Sequence, residues 1–310
     1  MSIDASIYRS CTLCPRMCRV DRTKTTGFCG CGANVLAARA ALHHWEEPSI
    51  SGPDEKSGGS GAVFFSGCTL GCVFCQNRRI SQEHFGKKLT PAALADIFLR
   101  LQDEGAYNIN LVTATQFLPD ITQALDRIKH RLHIPVVYNC GGYERGETVQ
   151  SLADYVDIWL PDFKYCDDAI AKAYSKAPNY FATASAAIRQ MIAQTGAPVF
   201  ANVPGVKAPL LLRGVIIRHL VLPSHRKDSI ALLDWISENL PTGQFLISLM
   251  SQYTPYVRSE QFPELNRRIT TFEYNQVIDH AIALGLTQGY MQQKSSAKEE
   301  YTPPFDLEGV

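Results

Sequence analysis

The sequence predicts an α/β fold, a partial (β/α)6 barrel of the TIM type behind a Cys-rich N-terminal extension. Three observations predict it. Five of the ten cysteines crowd into the first 31 residues, so the chain starts as something other than a core-forming domain. From residue 62 onward, short apolar runs alternate with amphipathic helical stretches, the signature of repeated βα units around a parallel sheet. The length of 310 residues allows one large domain or two small ones, and six repeats fit within it.

Residues 1–60 read as a separate metal-binding unit. They carry Cys11, Cys14, Cys18, Cys29 and Cys31, show no long apolar periodicity, and run out in the turn-rich stretch SISGPDEKSGGSG. A segment of this size without a core needs another source of stability, and a metal held by the cysteines supplies one.

Residues 61–290 make the barrel. AVFFSG, INLVTA, PVVYNC, DIWLPDFKY, VIIRHLVLP and QFLISLMSQ read as buried strands. After the first, Thr90 is placed to cap a helix with Pro91 at its first position, Leu94, Ile97, Phe98 and Leu101 form one apolar face, and Gly105 ends it. Ile121, Leu125, Ile128 and Leu132 mark the next helix, and Ile230, Leu233 and Ile236 a later one near residues 229–240. Between Cys166 and Val215 helical patterns give way to PVFANVPGVKAP, which reads as a strand or as a loop crossing the barrel. Six units are too few to close an eight-fold barrel, but right-handed crossovers still curl the sheet, and functional groups then belong at the strands' C-terminal ends. Residues 291–310 read as an extended tail, packed on the surface or partly disordered.

Charge and composition narrow the function. Lys plus Arg and Asp plus Glu are 30 each, so no net field favours nucleic acid or an anionic bilayer. No apolar run of about 20 residues occurs, and the start MSIDASIYRS lacks a secretory pattern. The expectation is a soluble, cytoplasmic protein with no nucleic-acid or membrane partner, in which clustered cysteines bind metal rather than form disulfides.

The sharpest signal is GCTLGCVFCQN, where Cys68, Cys72 and Cys75 form C-x3-C-x2-C directly after the first strand. Three thiolates on one loop hold three irons of a four-iron cubane and leave the fourth open, as a catalytic site requires. The competing reading is a zinc knuckle with His84 as fourth ligand. For Cys11, Cys14 and Cys18 with Cys29 or Cys31, a closed zinc site and a second iron-sulfur cluster are equally good readings, since four or five soft ligands suit both. Asp162 with Lys164 reads either as site residues or as a strand-end ion pair, and His43 with His44 as packing beside Trp45. Cys140 and Cys166 read as buried thiols, with Cys140 near the barrel mouth, where a thiol can relay a radical. His225, Arg226 and Lys227 read as a solvated loop, and SGGSG lacks the residues of a phosphate loop.

With Phe74 completing C-x3-C-x-aromatic-C, the loop resembles that of the radical SAM enzymes. CTLCPRMCRV, HWEEPSISG, VVYNCGGYE, LPDFKY, RGVIIRHLVLP and LMSQYTP extend the likeness to the pyruvate formate-lyase activating enzyme-like group. The resemblance implies a 4Fe-4S cluster on Cys68, Cys72 and Cys75, with S-adenosylmethionine (SAM) chelated by the open iron. Reductive cleavage of SAM then yields a 5'-deoxyadenosyl radical that abstracts hydrogen. It implies that Phe74 packs near the adenine and that Thr115 or Gln116 stands in for the family's Gly-Gly-Glu contact to the SAM amino group. Asn139 and Gly141 would lie against the ligand, Asp162 and Lys164 would match an Asp-Leu-Lys segment near the SAM carboxylate, and either Arg218 or His219 would face the cavity according to strand phase. The partners implied are a reductant such as a flavodoxin or ferredoxin and a substrate to be found. Glycyl-radical activation of a partner protein leads, a peptide or small metabolite is the alternative, and a non-catalytic metal-binding scaffold is the contrasting class.

Overall fold

A computed structural model describes residues 2–53, 58–256, 258–292 and 302–310. Part of the turn-rich run before the first barrel strand, and residues 293–301 of the tail, lie outside the described residues. In chain order the strands are β1 (Val35–His43), β2 (Ser60–Phe65), β3 (Lys87–Leu89), β4 (Asn108–Val112) and β5 (Val136–Cys140). They continue as β6 (Ile158–Pro161), β7 (Val199–Ala201), β8 (Leu210–Leu220), β9 (Leu246–Met250) and β10 (Gly289–Met291). The sheet runs β10-β9-β8-β6-β5-β4-β2-β1-β3, and every pair from β10 to β2 is parallel. Its end strands β10 and β3 do not pair with each other, so the barrel stays open.

The six expected strands are β2, β4, β5, β6, β8 and β9. The helix Pro91–Asp103 starts as the sequence dictates: the Thr90 side chain accepts from the Ala93 N–H, Pro91 occupies the first turn, and Leu94, Ile97, Phe98 and Leu101 are buried. Gly105, at φ 89°, turns the chain out of it. The helix Leu118–Ile128 ends before Leu132, which packs from the following turn. PVFANVPGVKAP contributes only the short β7, antiparallel to β8 and on the surface, with Val199 and Phe200 exposed. It does not cross the barrel. His225, Arg226 and Lys227 are not a free loop: His225 precedes, and the two cations open, the helix Arg226–Asn239.

The sheet also reaches into the first sixty residues. β1 pairs antiparallel with β2 and with β3, and its residues Val35, Ala37, Ala38 and Ala40 are buried. The tail returns along the same strand: Leu307 N–H donates to Ala38 O and Ala40 N–H to Glu308 O, while Arg39 pairs with Asp306 and Glu308. No helix among the described residues is long and apolar enough to cross a membrane.

Period-two alternation sorts each strand's residues. Val137, Ile158, Leu160, Ile216 and Leu246 point into the barrel and pack around Ile50, whose short helix Pro48–Ser51 plugs the interior. Their neighbours Val136, Tyr138, Trp159, Val215, Ile217 and Ile247 face the outer helices. The same phase sends Asn139 and Arg218 inward and His219 outward. His219 is buried against the helix Arg226–Asn239, donating from Nδ1 to Phe163 O (2.7 Å) and accepting at Nε2 from the Ser229 hydroxyl (2.9 Å).

Burial lowers the His219 pKa to about 4, so the folded protein keeps this ring neutral. The unfolded chain, with a histidine near 6.5, binds more protons between those values, so stability is fully present above about pH 6.5 and is lost as pH falls toward 4. We therefore expect the melting temperature of His219→Gln to fall less steeply than wild type over that interval. Parallel slopes in thermal melts from pH 7 to 4.5 would contradict it.

Candidate active site

The C-x3-C-x2-C loop leaves the C-terminal end of β2 through Gly67, at φ 81°. A Cβ at this glycine would lie 2.6 Å from Cys29 O, so only glycine lets the loop pass so close to the N-terminal extension. The loop is then tied to the last turn of the helix Asp168–Ser175, where Gly71 N–H donates to Ser175 O and Val73 N–H to Tyr174 O, while Gln82 Nε2 donates to Cys72 O. Cys68, Cys72 and Cys75 all line one cavity of about 230 Å³.

These thiols suit a cluster. None is in a disulfide. The Leu70 N–H points at Cys68 Sγ (3.4 Å), Cys72 Sγ lies 2.9 Å from Ser175 Oγ, and Cys75 Sγ lies 3.3 Å from Ser81 Oγ, the polar support a ligating sulfur receives. Burial raises the Cys68 and Cys72 pKa values, so without a cation both are neutral thiols, and ligation to iron would release their protons. Among the described residues no three His, Cys, Asp or Glu side chains converge closely enough to share one ion. His84, the fourth ligand a zinc knuckle would borrow, instead stacks its ring over Gly30.

Facing the loop are the inward residues of successive strands. Arg218 is their hub: its Nε and Nη2 donate to Asp162 Oδ1 (2.9 and 2.8 Å), its Nη2 also to Asn139 Oδ1 (2.6 Å), and its Nη1 to Glu46 Oε2 (3.2 Å). An isolated bridge between Asp162 and Arg218 extends the pairing of β6 with β8 and sets the two side by side. Lys164 Nζ holds the second Asp162 oxygen at 2.6 Å. Asp162 is thus kept below the usual carboxylate range, because Arg218 and Lys164 outweigh the burial that would raise it. Glu46 accepts from Asn110 and Asn139, yet burial raises its pKa against the pull of Arg218.

Several sequence expectations meet here. Phe74, Asn139, Cys140, Gly141, Asp162, Lys164 and Arg218 share the cavity wall with the three cysteines, and Phe74 packs edge-on against Tyr253 (5.8 Å). Gly141 is needed for a packing reason, since a Cβ there would come within 2.6 Å of Leu70 on the cluster loop. Thr115 and Gln116 are not in the cavity wall. After β4, Thr113 takes φ 59° and the chain enters the 3-10 turn Thr115–Phe117, which turns both side chains into the core. Thr115 donates to Glu144 (2.7 Å), and Gln116 donates to the carbonyls of Ser66, Gly67 and Thr113. Thr113 itself lines the cavity.

Sequence reasoning assigned no role to Glu46, Met250, Gln252, Tyr253 or Thr254, which also line the site. Met250 ends β9 and the other three follow it, and the rule that barrel sites gather at strand C-terminal ends was the signal for them. For Glu46 the only local sign was a pair of acids beside an aromatic residue. The N-terminal cysteines form a second group: Cys11, Cys14, Cys18 and Cys29 line a much smaller cleft of about 10 Å³, on whose wall Thr69 and Gln116 also lie. Cys31 adjoins them: its thiol donates to Ser66 O (3.2 Å) and lies against the Cys29 thiol.

Residues 62–206 match the family described as the radical SAM superfamily. An uncharacterized protein of Methanocaldococcus jannaschii, MJ0674, is 29% identical over 293 residues, 91% of this chain and 77% of that protein. Methylornithine synthase, PylB, is similar in structure with a TM-score of 0.49 at 13% identity, covering 94% of this chain and 75% of that one. Streptococcus suis SuiB, solved bound to S-adenosylmethionine, has a TM-score of 0.45 at 14% identity over 75% of this chain. This chain spans about half of SuiB's length, 47%.

Proposed function

From the match of residues 62–206 to the radical SAM superfamily, we propose that the chain is an oxidoreductase generating a 5'-deoxyadenosyl radical to take hydrogen from a glycine of a partner protein. The observation that carries the reading is the meeting of Cys68, Cys72 and Cys75 with Asn139, Asp162, Lys164 and Arg218 in one cavity at the C-terminal ends of the strands. The cysteines would hold a 4Fe-4S cluster by three irons, and SAM would bind at the fourth. When bound, the reduced cluster and SAM supply the one-electron cleavage of the sulfonium to methionine and the radical.

This chain's own residues bind, orient and shield. Phe74 and Tyr253 give an apolar wall for an adenine, and Asn139 offers a carboxamide at the floor. Asp162 stays ionised between Arg218 and Lys164, so the site keeps fixed charges for the amino and carboxylate groups of a zwitterionic ligand without solvent reorganising around them. Ile50 and the apolar interior seal the barrel from below, which keeps bulk water from a reactive radical. A macromolecular hydrogen donor is supported by the mouth, which opens to solvent and carries the exposed rings of Trp45 and Tyr256. The electron is expected from a flavodoxin or ferredoxin.

The test is anaerobic reconstitution with iron and sulfide, dithionite reduction with SAM, and chromatography for 5'-deoxyadenosine. Product from wild-type protein supports the reading. Stoichiometric zinc at Cys68, Cys72 and Cys75 with no SAM binding overturns it and favours a metal-binding scaffold.

A further inference from the structure

We propose that the outer face of the thiol loop, at Phe28, Lys172 and Lys176, is where an acidic flavodoxin-type carrier docks, so that the electron arrives from behind the loop and the cavity mouth stays free. This inference rests on the function proposed above and adds the partner's surface to it.

The loop has two faces. Cys68, Leu70, Cys72 and Phe74 line the cavity, whereas the residues between them, Thr69, Gly71 and Val73, are held from the other side. Thr69 O accepts from Arg16 Nε (2.8 Å), and Val73 N–H donates to Tyr174 O (2.8 Å). Gly71 is half-buried, and a Cβ on it would come within 3.2 Å of the Lys176 side chain, so the lysine stem crosses the back of the loop next to Cys72. A donor seated on Lys176 therefore has a short path, one side-chain contact and then covalent bonds, to a thiol that would carry iron. A donor at the mouth would compete for one opening with SAM and with the hydrogen donor.

The charges on this face suit an acidic partner. The chain has no formal net charge, so attraction for a charged protein has to come from a local patch. Lys172 and Lys176 stand one turn apart at the end of the helix Asp168–Ser175, both exposed, and among the described residues neither is ion-paired. The acids Asp167 and Asp168 lie at the opposite end of that helix, where they accept from the Ala169 and Phe181 N–H groups. Arg16 joins this helix end to the N-terminal extension: it donates to the carbonyls of Ser175 and Lys176 and lies 3.7 Å over the Phe28 ring. That ring is 45% exposed. A bare aromatic ring beside lysines fits a carrier whose flavin presents an apolar edge within a rim of carboxylates. Electron-transfer encounters are small and short-lived, so a few steering charges around one ring suffice. In the step served, the carrier's anionic flavin hydroquinone loses one electron to become the neutral semiquinone and the cluster gains it, with no proton or other atom transferred.

The test titrates the full iron-loaded chain over an immobilised flavodoxin of net negative charge, and over a ferredoxin, by surface plasmon resonance. Wild type should bind the flavodoxin and lose affinity as sodium chloride is raised. Lys172→Glu/Lys176→Glu should bind it about tenfold more weakly, and Phe28→Ser should weaken binding while keeping the salt dependence. Arg127→Glu/Lys129→Glu makes the same charge change on exposed residues at the other end of the barrel and should bind as wild type does. With photoreduced deazariboflavin, a small uncharged donor, 5'-deoxyadenosine formation should be the same in Lys172→Glu/Lys176→Glu as in wild type; with reduced flavodoxin it should be about tenfold slower. Unaltered flavodoxin binding in Lys172→Glu/Lys176→Glu, an equal loss in the control pair, or a loss seen with the ferredoxin alone would each overturn the inference while product still formed with deazariboflavin. No product from wild type with deazariboflavin would sink the proposed function, and this inference with it.

Discussion

Cys72→Ala is expected to reduce 5'-deoxyadenosine formation to background while leaving the barrel folded. Cys72 sits on a loop above the core, and its thiol touches Ser175 Oγ, which keeps the Tyr165 hydroxyl as a partner at 2.7 Å when the sulfur is gone. No buried polar atom is stranded by the change, so the folding cost is that of a partly buried thiol, on the order of 1 kcal/mol. Function has no such alternative. With two thiolates left, the loop holds the cluster too weakly to keep one iron open and three saturated. Iron content, far-ultraviolet circular dichroism and product chromatography on the same preparation separate the two effects. Cleavage at the wild-type rate would refute the assignment of Cys72 as a ligand.

The parts of the molecule that are local in sequence were legible, and the parts that depend on long-range return were not. The helix Pro91–Asp103 follows from Thr90, Pro91, the spacing of Leu94 to Leu101 and Gly105, all within one segment. The thiol loop is a motif of eight residues, and Asp162 with Lys164 share a face because they are two apart on an extended chain. Arg218 and His219 were both candidates because strand phase is relative: it was fixed only once β8 was in register with β6 and β9. Thr115 and Gln116 were misdirected by one backbone event, the left-handed turn at Thr113, which a β-branched residue rarely adopts and which no composition rule announces. Glu46 was hidden for a third reason. Its segment leaves β1 and folds back into the barrel so that Ile50 fills the interior, an insertion written in no local periodicity.

Arg218→Met is expected to abolish SAM cleavage and also to lower stability by roughly 3–5 kcal/mol, the usual cost of removing one member of a buried ion pair. The methionine keeps much of the side-chain volume, so the loss is electrostatic. Lys164 still neutralises Asp162, but Glu46 retains only the amides of Asn110 and Asn139, and the two acids then face one another at the bottom of the cavity. Arg218→Lys should recover little, because an ammonium cannot span Asp162, Asn139 and Glu46 as the planar fork does. Glu46→Gln combined with Arg218→Met removes the stranded charge, so it should restore part of the melting temperature and none of the cleavage. That split distinguishes a hub that merely holds strands together from one that sets the charges facing the ligand. If the double variant regained activity along with stability, Arg218 would be a structural brace alone; if Arg218→Met melted like wild type, the hub itself would be refuted.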